Sequence, residues 1–307
     1  MSGLRFGFLT LQNTPWPVTV ERWRLAERVG WDSVWVADHF VNPFQPTDDW
    51  FDGWSLLAAL AQETRTIRVG VLVSSLTLRP PALLARQALT VDHLSGGRLE
   101  LGLGAGGVPL DHSMTGTPPW SRTERAARFA EAVLLVDQLL RCRQVTFEGR
   151  FYRVHEALTH PGPVQAPRPP LTIGALGPAM MRVAARHADT WNTFGGRHVS
   201  VTAAFADTRE RLARFDDYCL EAGRDPRLVR RSFLALAHYV PDDCWASVGA
   251  FVDFVGRYAA LGIREFIFDW PPEDRHPLVE RLAADVLPAL RAPGTRHPGR
   301  VTGDTPG

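Results

Sequence analysis

The chain has 307 residues, of which 45% are hydrophobic and 22% are charged, values typical of a globular protein with a substantial core. Its 34 basic and 33 acidic residues leave a net charge of +1, so it lacks the basic excess that nucleic-acid binding requires, and no nucleic-acid partner is predicted. The longest apolar runs, such as residues 69–73, are far shorter than the ~20 residues of a membrane-spanning helix, so no membrane association is predicted.

The three cysteines, Cys142, Cys219 and Cys244, lie far apart in the sequence, and none belongs to a paired motif. A disulfide framework and a zinc site are therefore not expected, and no metal is predicted. The first residues lead directly into an apolar segment, without the basic start and small-residue cleavage site of a secretion signal. These features favour a cytoplasmic protein.

In the first half of the chain, short apolar runs alternate with longer amphipathic stretches. Strands are predicted over residues 4–11, 33–37, 67–75 and 98–104, where the runs are short and mostly apolar. Helices are predicted between them over 18–29, 50–63 and 80–94, and after them over 122–141. Gly30 follows the first of these helices and Gly96 follows the third, as helix ends prefer.

The same alternation continues after residue 170. Strands are predicted over 171–175, 190–194, 232–240 and 265–270, and helices over 178–187, 200–222, 245–261 and 278–291. Eight strand–helix units indicate parallel strands joined by helical crossovers, and eight is the number that closes a single (β/α)8 TIM barrel of the α/β class. A doubly wound open sheet is the alternative, but no G-x-G-x-x-G turn follows the first strand.

One segment interrupts the alternation, as an insertion between helix 4 and strand 5. Residues 145–154 predict a hairpin that turns at Glu148 and Gly149, and proline-rich sequence follows from 161 to 170. Residues 1–292 are therefore predicted to form one barrel domain that includes this insertion. Residues 293–307, which are rich in Pro, Gly, Thr and Arg, are predicted to be a disordered tail.

Candidate functional residues follow the strands, because the active site of such a barrel lies at the carboxyl ends of its strands. Asp38 and His39 follow the second strand, and Ser74 and Ser75 end the third. His39 can transfer protons near neutral pH, and Asp38 can accept a hydrogen bond; a loop cap beside a solvated histidine is the alternative interpretation. Among the tryptophans, Trp191 on the sixth strand is the one expected to contact a substrate.

Glycines are frequent where the fourth and fifth strands end. Gly102, Gly104, Gly106 and Gly107 would let a flat ring approach the backbone, or else allow tight packing of the barrel mouth. Residues 174–178 (GALGP) precede a helix whose amino terminus favours an anion. They are interpreted either as a phosphate cradle or as a plain strand-to-helix turn.

Taken together, these segments resemble the luciferase-like monooxygenase superfamily, on its coenzyme F420-dependent side. The matching segments are residues 30–40 (GWDSVWVADHF), 67–74 (IRVGVLVS), 81–106 (PALLARQALTVDHLSGGRLELGLGAG), 147–152 (FEGRFY), 173–178 (IGALGP) and 188–192 (ADTWN). They cover the barrel from residue 4 to residue 197, and beyond that point the likeness is one of architecture. The resemblance implies an oxidoreductase that transfers a hydride between coenzyme F420 and a small organic substrate.

The resemblance also implies roles for individual residues around the deazaflavin ring. Asp38 would hydrogen-bond the edge of the ring, and His39 would face the substrate near the hydride-transfer carbon as the catalytic residue. A bulged cis peptide at Leu72-Val73 would support the ring from behind. Gly106 is the cofactor-binding member of the glycines that end the fourth strand.

Phosphate groups are expected at two further places. By the same resemblance, Leu176, Gly177 and Ala179 would cradle the cofactor phosphate. Arg197 would lie where sugar-phosphate dehydrogenases of the family place a lysine for the phosphate of their substrate. Homodimers formed through barrel helices are also implied, and the apolar helix predicted over residues 50–63 offers the sequence support for this.

The sequence departs from the sugar-phosphate branch at two positions. Gly107 stands where that branch carries an acidic residue, and Pro43 stands where it carries a tryptophan. A sugar-phosphate substrate is therefore not predicted, and no second partner for His39 is apparent.

Three alternatives remain open at this point. A monooxygenase that uses FMN, supplied in reduced form by a separate reductase, would share the fold, although the Asp-His-Phe motif at 38–40 and the FEGRFY segment favour F420. A metal-dependent hydrolase would need several ligands at the strand ends, where Asp38, His39, Asp269 and His238 are the candidates. A non-catalytic flavin-binding protein is the third.

Overall fold

A computed structural model describes residues 3–196, 200–240 and 242–292. Eight parallel strands close into a barrel in the order β1, β2, β3, β4, β7, β8, β9, β10 and back to β1. Their bounds are β1 Arg5–Thr10, β2 Ser33–Val36, β3 Arg68–Ser75, β4 Leu99–Gly104, β7 Leu171–Gly174, β8 Thr190–Phe194, β9 Arg230–Ala235 and β10 Glu265–Asp269. The predicted (β/α)8 barrel is confirmed.

Ten α-helices lie in the described part of the chain, most of them as crossovers between barrel strands. Their bounds are α1 Trp16–Arg28, α2 Gly53–Glu63, α3 Pro81–Leu94, α4 Pro109–Thr115, α5 Arg122–Arg141, α6 Pro178–His187, α7 Val201–Glu221, α8 Val248–Ala260, α9 His276–Asp285 and α10 Leu287–Arg291. The predicted bounds of α5 and α6 agree with the structure, whereas α4 was not predicted. The last predicted helix is two helices, because Pro288 in the first turn of α10 cannot continue a preceding helix.

Most of the core lies between the barrel and the surrounding helices. Phe6 and Phe8 of β1 point outward and are fully buried. The ring of Phe8 packs 4.1 Å from Trp31 and 4.2 Å from Trp270, centroid to centroid. Burial of each such side chain contributes about 1.5–3 kcal/mol, so this shell accounts for much of the stability of the barrel.

A second, smaller apolar cluster fills the barrel interior. It consists of Leu9, Trp35, Leu72, Leu234, Leu236 and Ile267. Leu72 and Leu234 also line a cavity at the carboxyl ends of the strands. The interior cluster therefore forms the floor of that cavity and excludes water from below.

The predicted insertion is a two-stranded antiparallel hairpin, β5 Gln144–Glu148 and β6 Arg153–Leu158. The turn occupies residues 149–152 and so begins one residue later than predicted. The carboxylate of Glu131 on α5 accepts hydrogen bonds from the amides of Arg150, Phe151 and Tyr152 at 3.0, 2.8 and 2.6 Å. The hairpin is thereby fastened to the outside of the barrel.

Two sequence expectations bear on the surface of the molecule. The apolar side chains of α2 that supported a homodimer are used within the subunit, because Trp54, Leu56, Leu57 and Leu60 are all buried there; that argument from sequence is wrong. The predicted disordered tail, residues 293–307, lies outside the described residues. None of the helices in the described ranges is long and apolar enough to cross a membrane.

Candidate active site

A cavity of about 420 Å³ opens at the carboxyl ends of the barrel strands, within the usual size range of small-molecule sites. Several predicted site residues line it, namely His39, Leu72, Val73, Ser75, Gly104, Gly106, Gly107 and Leu176. The remaining walls come from Ala105, Val108, Arg125, Gly174, Ala175, Met180, Asn192, Phe194, Leu234 and Tyr239. The surface is mostly apolar, with few polar groups.

Glycines form one side of the cavity, and the space around them is already filled. A Cβ atom at Gly104 would lie 2.3 Å from Cγ2 of Val73, and one at Gly106 would lie 2.2 Å from Oγ1 of Thr77. Gly106 also has φ +72°, a conformation that other residues rarely adopt. These glycines therefore make room for Val73 and Thr77, and only their backbone atoms line the cavity at the end of β4.

The end of β3 has the irregular geometry that the resemblance implied. The Leu72-Val73 peptide bond is cis, and the register between β3 and β4 shifts between Val71 and Ser74. Both Leu72 and Val73 line the cavity. The predicted bulged cis peptide is confirmed.

His39 has a partner that sequence reasoning missed. Its Nδ1 lies 2.9 Å from a carboxylate oxygen of Asp111 on α4. The other oxygen of Asp111 accepts a hydrogen bond from the amide of Phe40 at 2.8 Å, and Asp111 is 1% exposed. A carboxylate at Nδ1 fixes the ring, and Nε2 has no partner assigned among the described residues. The sequence analysis did not predict α4; the signal that could have indicated it is Pro109, since proline favours the first turn of a helix.

Asp38, which the resemblance placed at the edge of the deazaflavin ring, is buried behind the cavity wall. It is 1% exposed, and its oxygens accept hydrogen bonds from Arg79 at 2.9 and 3.0 Å and from the amide of Ser75 at 3.0 Å. Burial raises the pKa of Asp38, and the guanidinium of Arg79 and the Ser75 amide oppose that rise. Asp38 therefore supports the end of β3 from behind, and it is absent from the cavity wall.

Ser75 offers an unused polar atom at the same place. Its side chain lines the cavity, and its Oγ is buried without a hydrogen-bond partner among the described residues. A buried hydroxyl without a partner costs free energy unless a ligand or water satisfies it. The Ser75 hydroxyl is thus a polar group beside the cavity that the described residues leave unpaired.

The start of α6 is exposed and lacks a side-chain cap. Gly177 is the N-cap residue and Pro178 follows in the first turn. Leu176, Gly177 and Ala179 are all exposed to solvent, although only Leu176 lines the cavity. The amides of the first turn remain free to bind an anion at the edge of the cavity.

Of the two predicted substrate residues, Trp191 is described and is not part of the cavity wall. Trp191 is fully buried, its ring stacks on Phe215 of α7 at 4.0 Å, and its Nε1 donates to the carbonyl of Ala175 at 2.9 Å. Its side chain points outward from β8, so the expected substrate contact is wrong. Arg197 lies outside the described residues.

Aromatic rings cover another side of the mouth. Phe44 stacks on His238 at 4.0 Å, and Phe194 stacks on Tyr239 at 4.4 Å. Nearby, burial raises the pKa of Asp269 to about 6, against the opposing effect of the Ala237 amide. Within the described ranges no group of three or more His, Cys, Asp and Glu side chains is placed to hold a metal ion, so the hydrolase alternative has no site there.

Comparison of sequences identifies a family match and several relatives. A sequence model of the luciferase-like monooxygenases matches residues 4–291. F420-dependent glucose-6-phosphate dehydrogenase of Intrasporangium calvum is 29% identical over 311 aligned positions, which cover 87% of this chain and 92% of the relative. An uncharacterized protein of Mycobacterium bovis is 30% identical over 283 positions, which cover 85% of this chain and 91% of the relative.

Solved structures with the same fold have lower sequence identity. An F420-dependent secondary alcohol dehydrogenase, solved with an F420–acetone adduct, superposes with a TM-score of 0.81 at 20% identity, covering 94% of this chain and all of the other. The F420-dependent tetrahydromethanopterin reductase of Methanopyrus kandleri gives 0.76 at 17% identity over 94% and 100% of the two chains. A monooxygenase from Streptomyces bottropensis gives 0.71 at 20% over 93% and 99%. At these identities the likeness establishes the fold.

Proposed function

Because this chain belongs to the family of luciferase-like monooxygenases, we propose that it is an oxidoreductase that transfers a hydride between coenzyme F420 and a small organic substrate. Its relatives in sequence include dehydrogenases named for F420. Two of the solved structures with the same fold are F420-dependent enzymes as well. These names support F420 as the cofactor, and the shape of the cavity supports the binding of its flat ring.

The cavity suits a flat ring bound against bare backbone. Gly104 and Gly106 line it with backbone atoms only, Leu72 and Val73 line it with side chains, and the buried Ser75 Oγ lacks a partner among the described residues. When bound, a deazaflavin ring would supply a two-electron hydride carrier that reacts slowly with oxygen. Asp38 would position the ring indirectly, by holding Ser75 and Arg79 behind β3.

The cofactor phosphate is assigned to the start of α6. Leu176, Gly177 and Ala179 surround the free amides of its first turn, and no Cβ contact restricts the space at Gly177. An anion at that point gains hydrogen bonds and the favourable end of the helix dipole. The phosphate cradle is thus preferred over the plain turn.

The observation that carries the proposal is the His39–Asp111 pair at the edge of this cavity. Nδ1 lies 2.9 Å from the Asp111 carboxylate, and in the tautomer that carries its proton on Nδ1 the imidazole would present Nε2 as a proton acceptor. Nε2 would take the hydroxyl proton of an alcohol substrate during oxidation and return it during reduction. Asp111 fixes the tautomer and orientation that this role requires.

Titration of the purified full-length chain with F420 and, separately, with FMN tests the proposal. We expect F420 to bind more tightly, and the loaded protein to transfer reducing equivalents without consuming oxygen. Tight binding of FMN together with oxygen consumption after reduction would instead favour the FMN monooxygenase and a partner reductase. Binding of either cofactor without turnover of any substrate would favour a non-catalytic flavin-binding protein.

Assembly and location remain predictions. A homodimer is predicted from the family resemblance, and light scattering at micromolar concentration would reveal a monomer if it is wrong. A cytoplasmic location is likewise predicted.

A further inference from the structure

Arg125 is the charged side chain of the cavity wall. Among the described residues that line the cavity, no Asp, Glu or Lys occurs, and His39 is the other titratable group with basic nitrogens. Arg125 begins near the start of α5, outside the barrel, and its guanidinium reaches over the loop that follows β4. A partly exposed guanidinium in a mostly apolar wall offers a charged, planar donor group to an anion in the cavity.

The position of this guanidinium depends on Gly107. A Cβ atom at Gly107 would lie 2.5 Å from Nη1 and 2.9 Å from Cζ of Arg125, so any other residue would displace the guanidinium. Gly107 also has φ +134°, a conformation that glycine adopts without strain. The absence of a side chain at residue 107 therefore makes room for a positive charge at the mouth.

Neighbouring carboxylates do not neutralise Arg125. No ion pair or side-chain hydrogen bond joins it to another described residue. Glu124, beside it on α5, pairs with Arg128 at 2.7 Å. Asp111, in the preceding helix α4, is engaged by His39 and by the amide of Phe40. The five N–H donors of the guanidinium thus face the cavity and solvent with no protein acceptor assigned to them.

Arg125 lies on the side of the cavity where we place the chemistry. It contacts Gly107, and the same loop leads through Val108 to Asp111, the partner of His39. The proposed phosphate cradle belongs to a different connection, between β7 and α6. Arg125 and His39 line the same cavity, so a ligand group held by Arg125 would share that cavity with His39, where the substrate is expected.

We infer that Arg125 selects a substrate that carries a carboxylate. This inference rests on the proposed function and narrows its substrate to a class. A planar guanidinium pairs with a carboxylate through two parallel hydrogen bonds. One guanidinium balances the single charge of a carboxylate, whereas a phosphate monoester dianion would leave a negative charge uncompensated against an apolar wall.

The variants that test this are Arg125→Gln, Arg125→Lys and, as a matched control, Arg122→Gln. Arg122 lies one turn earlier on α5, is exposed, and is absent from the cavity wall. The probes are isobutyrate, its neutral analogue isobutanol, and inorganic phosphate. Saturation-transfer NMR measures the binding of each probe to the protein alone and to the protein with F420 added. Circular dichroism confirms that each variant is folded.

Isobutyrate should bind the wild-type chain and the Arg122→Gln control equally. Arg125→Gln should weaken its binding by about ten- to hundredfold, the effect of losing hydrogen bonds to a charged group. Arg125→Lys should retain part of it, because the charge remains without the planar fork. Isobutanol binding should be unchanged in all variants. F420 affinity should change by less than about threefold, which is no more than the loss of one weak contact would cause.

Three outcomes would overturn the inference while leaving the proposed function intact. The first is that isobutyrate does not bind, or binds independently of Arg125. The second is that phosphate binds more tightly than isobutyrate in a way that depends on Arg125. The third is that Arg125→Gln loses affinity for F420, which would assign the guanidinium to the cofactor. If the wild-type chain fails to bind F420, the proposed function fails instead. The titration of the protein alone then still decides whether Arg125 binds a carboxylate.

Discussion

Charged side chains are arranged differently at the two ends of the barrel. At the carboxyl end, the cavity of about 420 Å³ has a mostly apolar wall with one guanidinium and one imidazole. At the amino end, a larger cavity of about 780 Å³ is bordered by six arginines and one aspartate, Arg141, Arg168, Arg227, Arg230, Arg231, Arg264 and Asp189. Charge is abundant at the amino end and sparse at the carboxyl end.

Charges at the amino end are largely satisfied by one another. Arg168 contacts Asp137 and Asp189, both at 2.5 Å, and Arg231 pairs with Asp216. Inside the barrel at the same end, the buried carboxylate of Glu100 accepts hydrogen bonds from Arg5 at 2.8 Å and from Arg68 at 2.5 Å. These contacts hold strands and loops of the amino end together.

The charged groups of this buried network shift one another's pKa values. Although burial acts to raise the pKa of Glu100, Arg5 and Arg68 hold it below its ordinary value. Burial and the neighbouring Glu100 carboxylate raise the pKa of Glu265. The amino end is therefore a place where electrostatics maintains structure, whereas the few charged groups of the mouth retain atoms that are free to act on a ligand. In barrels of this type the amino end generally serves stability and the carboxyl end serves chemistry.

The largest effect is expected for His39→Ala at the mouth. Loss of a group that transfers a proton should lower the rate of the chemical step by about 10²–10⁴. Affinity for F420 should change little, because His39 lies on the substrate side of the cavity. Single-turnover absorbance measurements on the F420-loaded variant would give the rate, and fluorescence titration would give the affinity.

Asp111→Asn provides the companion measurement. The amide keeps the shape of the side chain but loses the charge that orients the imidazole, so we expect a smaller loss of rate and a changed pH profile. An unchanged rate in His39→Ala would remove His39 from the mechanism and with it the observation that carries the proposed function.

The second effect concerns stability at the amino end. Glu100→Ala leaves Arg5 and Arg68 without their shared buried partner, and breaking such a pair costs about 3–5 kcal/mol. We expect the lower part of this range, since Arg5 keeps Glu265 at 3.5 Å and Arg68 keeps the side chain of Gln165 at 2.9 Å. Urea unfolding would measure the loss, and F420 affinity of the folded fraction should be unchanged. Loss of cofactor affinity without loss of stability would contradict the separation of the two ends.

Asp38→Ala tests whether a carboxylate at the mouth is structural. Since Asp38 is buried and paired with Arg79, its removal should lower the free energy of unfolding by about 3 kcal/mol. Asp52→Ala is the matched control: Asp52 also contacts Arg79 but its side chain is 49% exposed, and it caps α2 through the amide of Ser55, so about 1 kcal/mol is expected. Equal unfolding free energies for the two variants would argue against a buried supporting role for Asp38.

The sequence predicts the barrel well because the same alternation of short apolar runs and amphipathic stretches recurs eight times. It does not predict α4, because the seven residues Pro109–Thr115 are too few to show helical periodicity, and Asp111 is missed with them. The position of Asp38 after β2 is evident from sequence, but its partner Arg79 is 41 residues away, and such pairing depends on how the side chains point.

Side-chain direction also explains the error at Trp191. Alternate residues of a strand point to opposite faces, and Asn192 and Phe194 of β8 line the cavity. Trp191 directly precedes Asn192, so its side chain points to the opposite face of β8. It packs there against Phe215 of α7. The sequence shows that side chains alternate along the strand, but it does not show which of the two sets faces the barrel interior.

The smallest effect is expected at Asp269, at the end of β10. Burial raises its pKa to about 6, and the amide of Ala237, at 3.2 Å, and the nearby His238 oppose this. An unfolded aspartate has a pKa of about 3.9. Between about pH 4 and pH 6 the native state therefore binds more protons than the unfolded state, and the free energy of unfolding falls as the pH rises. Above about pH 6 the full cost of the buried charge is present.

Asp269→Asn removes this cost, because the amide oxygen can still accept the hydrogen bond from Ala237 and carries no charge. A shift of this size corresponds to nearly 3 kcal/mol, but Asp269 is partly exposed and solvent screening reduces the effect, so we expect about 1 kcal/mol. The variant should be more stable than the wild type at pH 7.5, and the difference should vanish as the pH falls to about 4. Urea unfolding across this range measures it, with Asp253→Asn on the exposed face of α8 as the control. If the difference in the free energy of unfolding between variant and wild type does not depend on pH, the charge of Asp269 is offset by its neighbours, as the charges of the carboxylates at the amino end are.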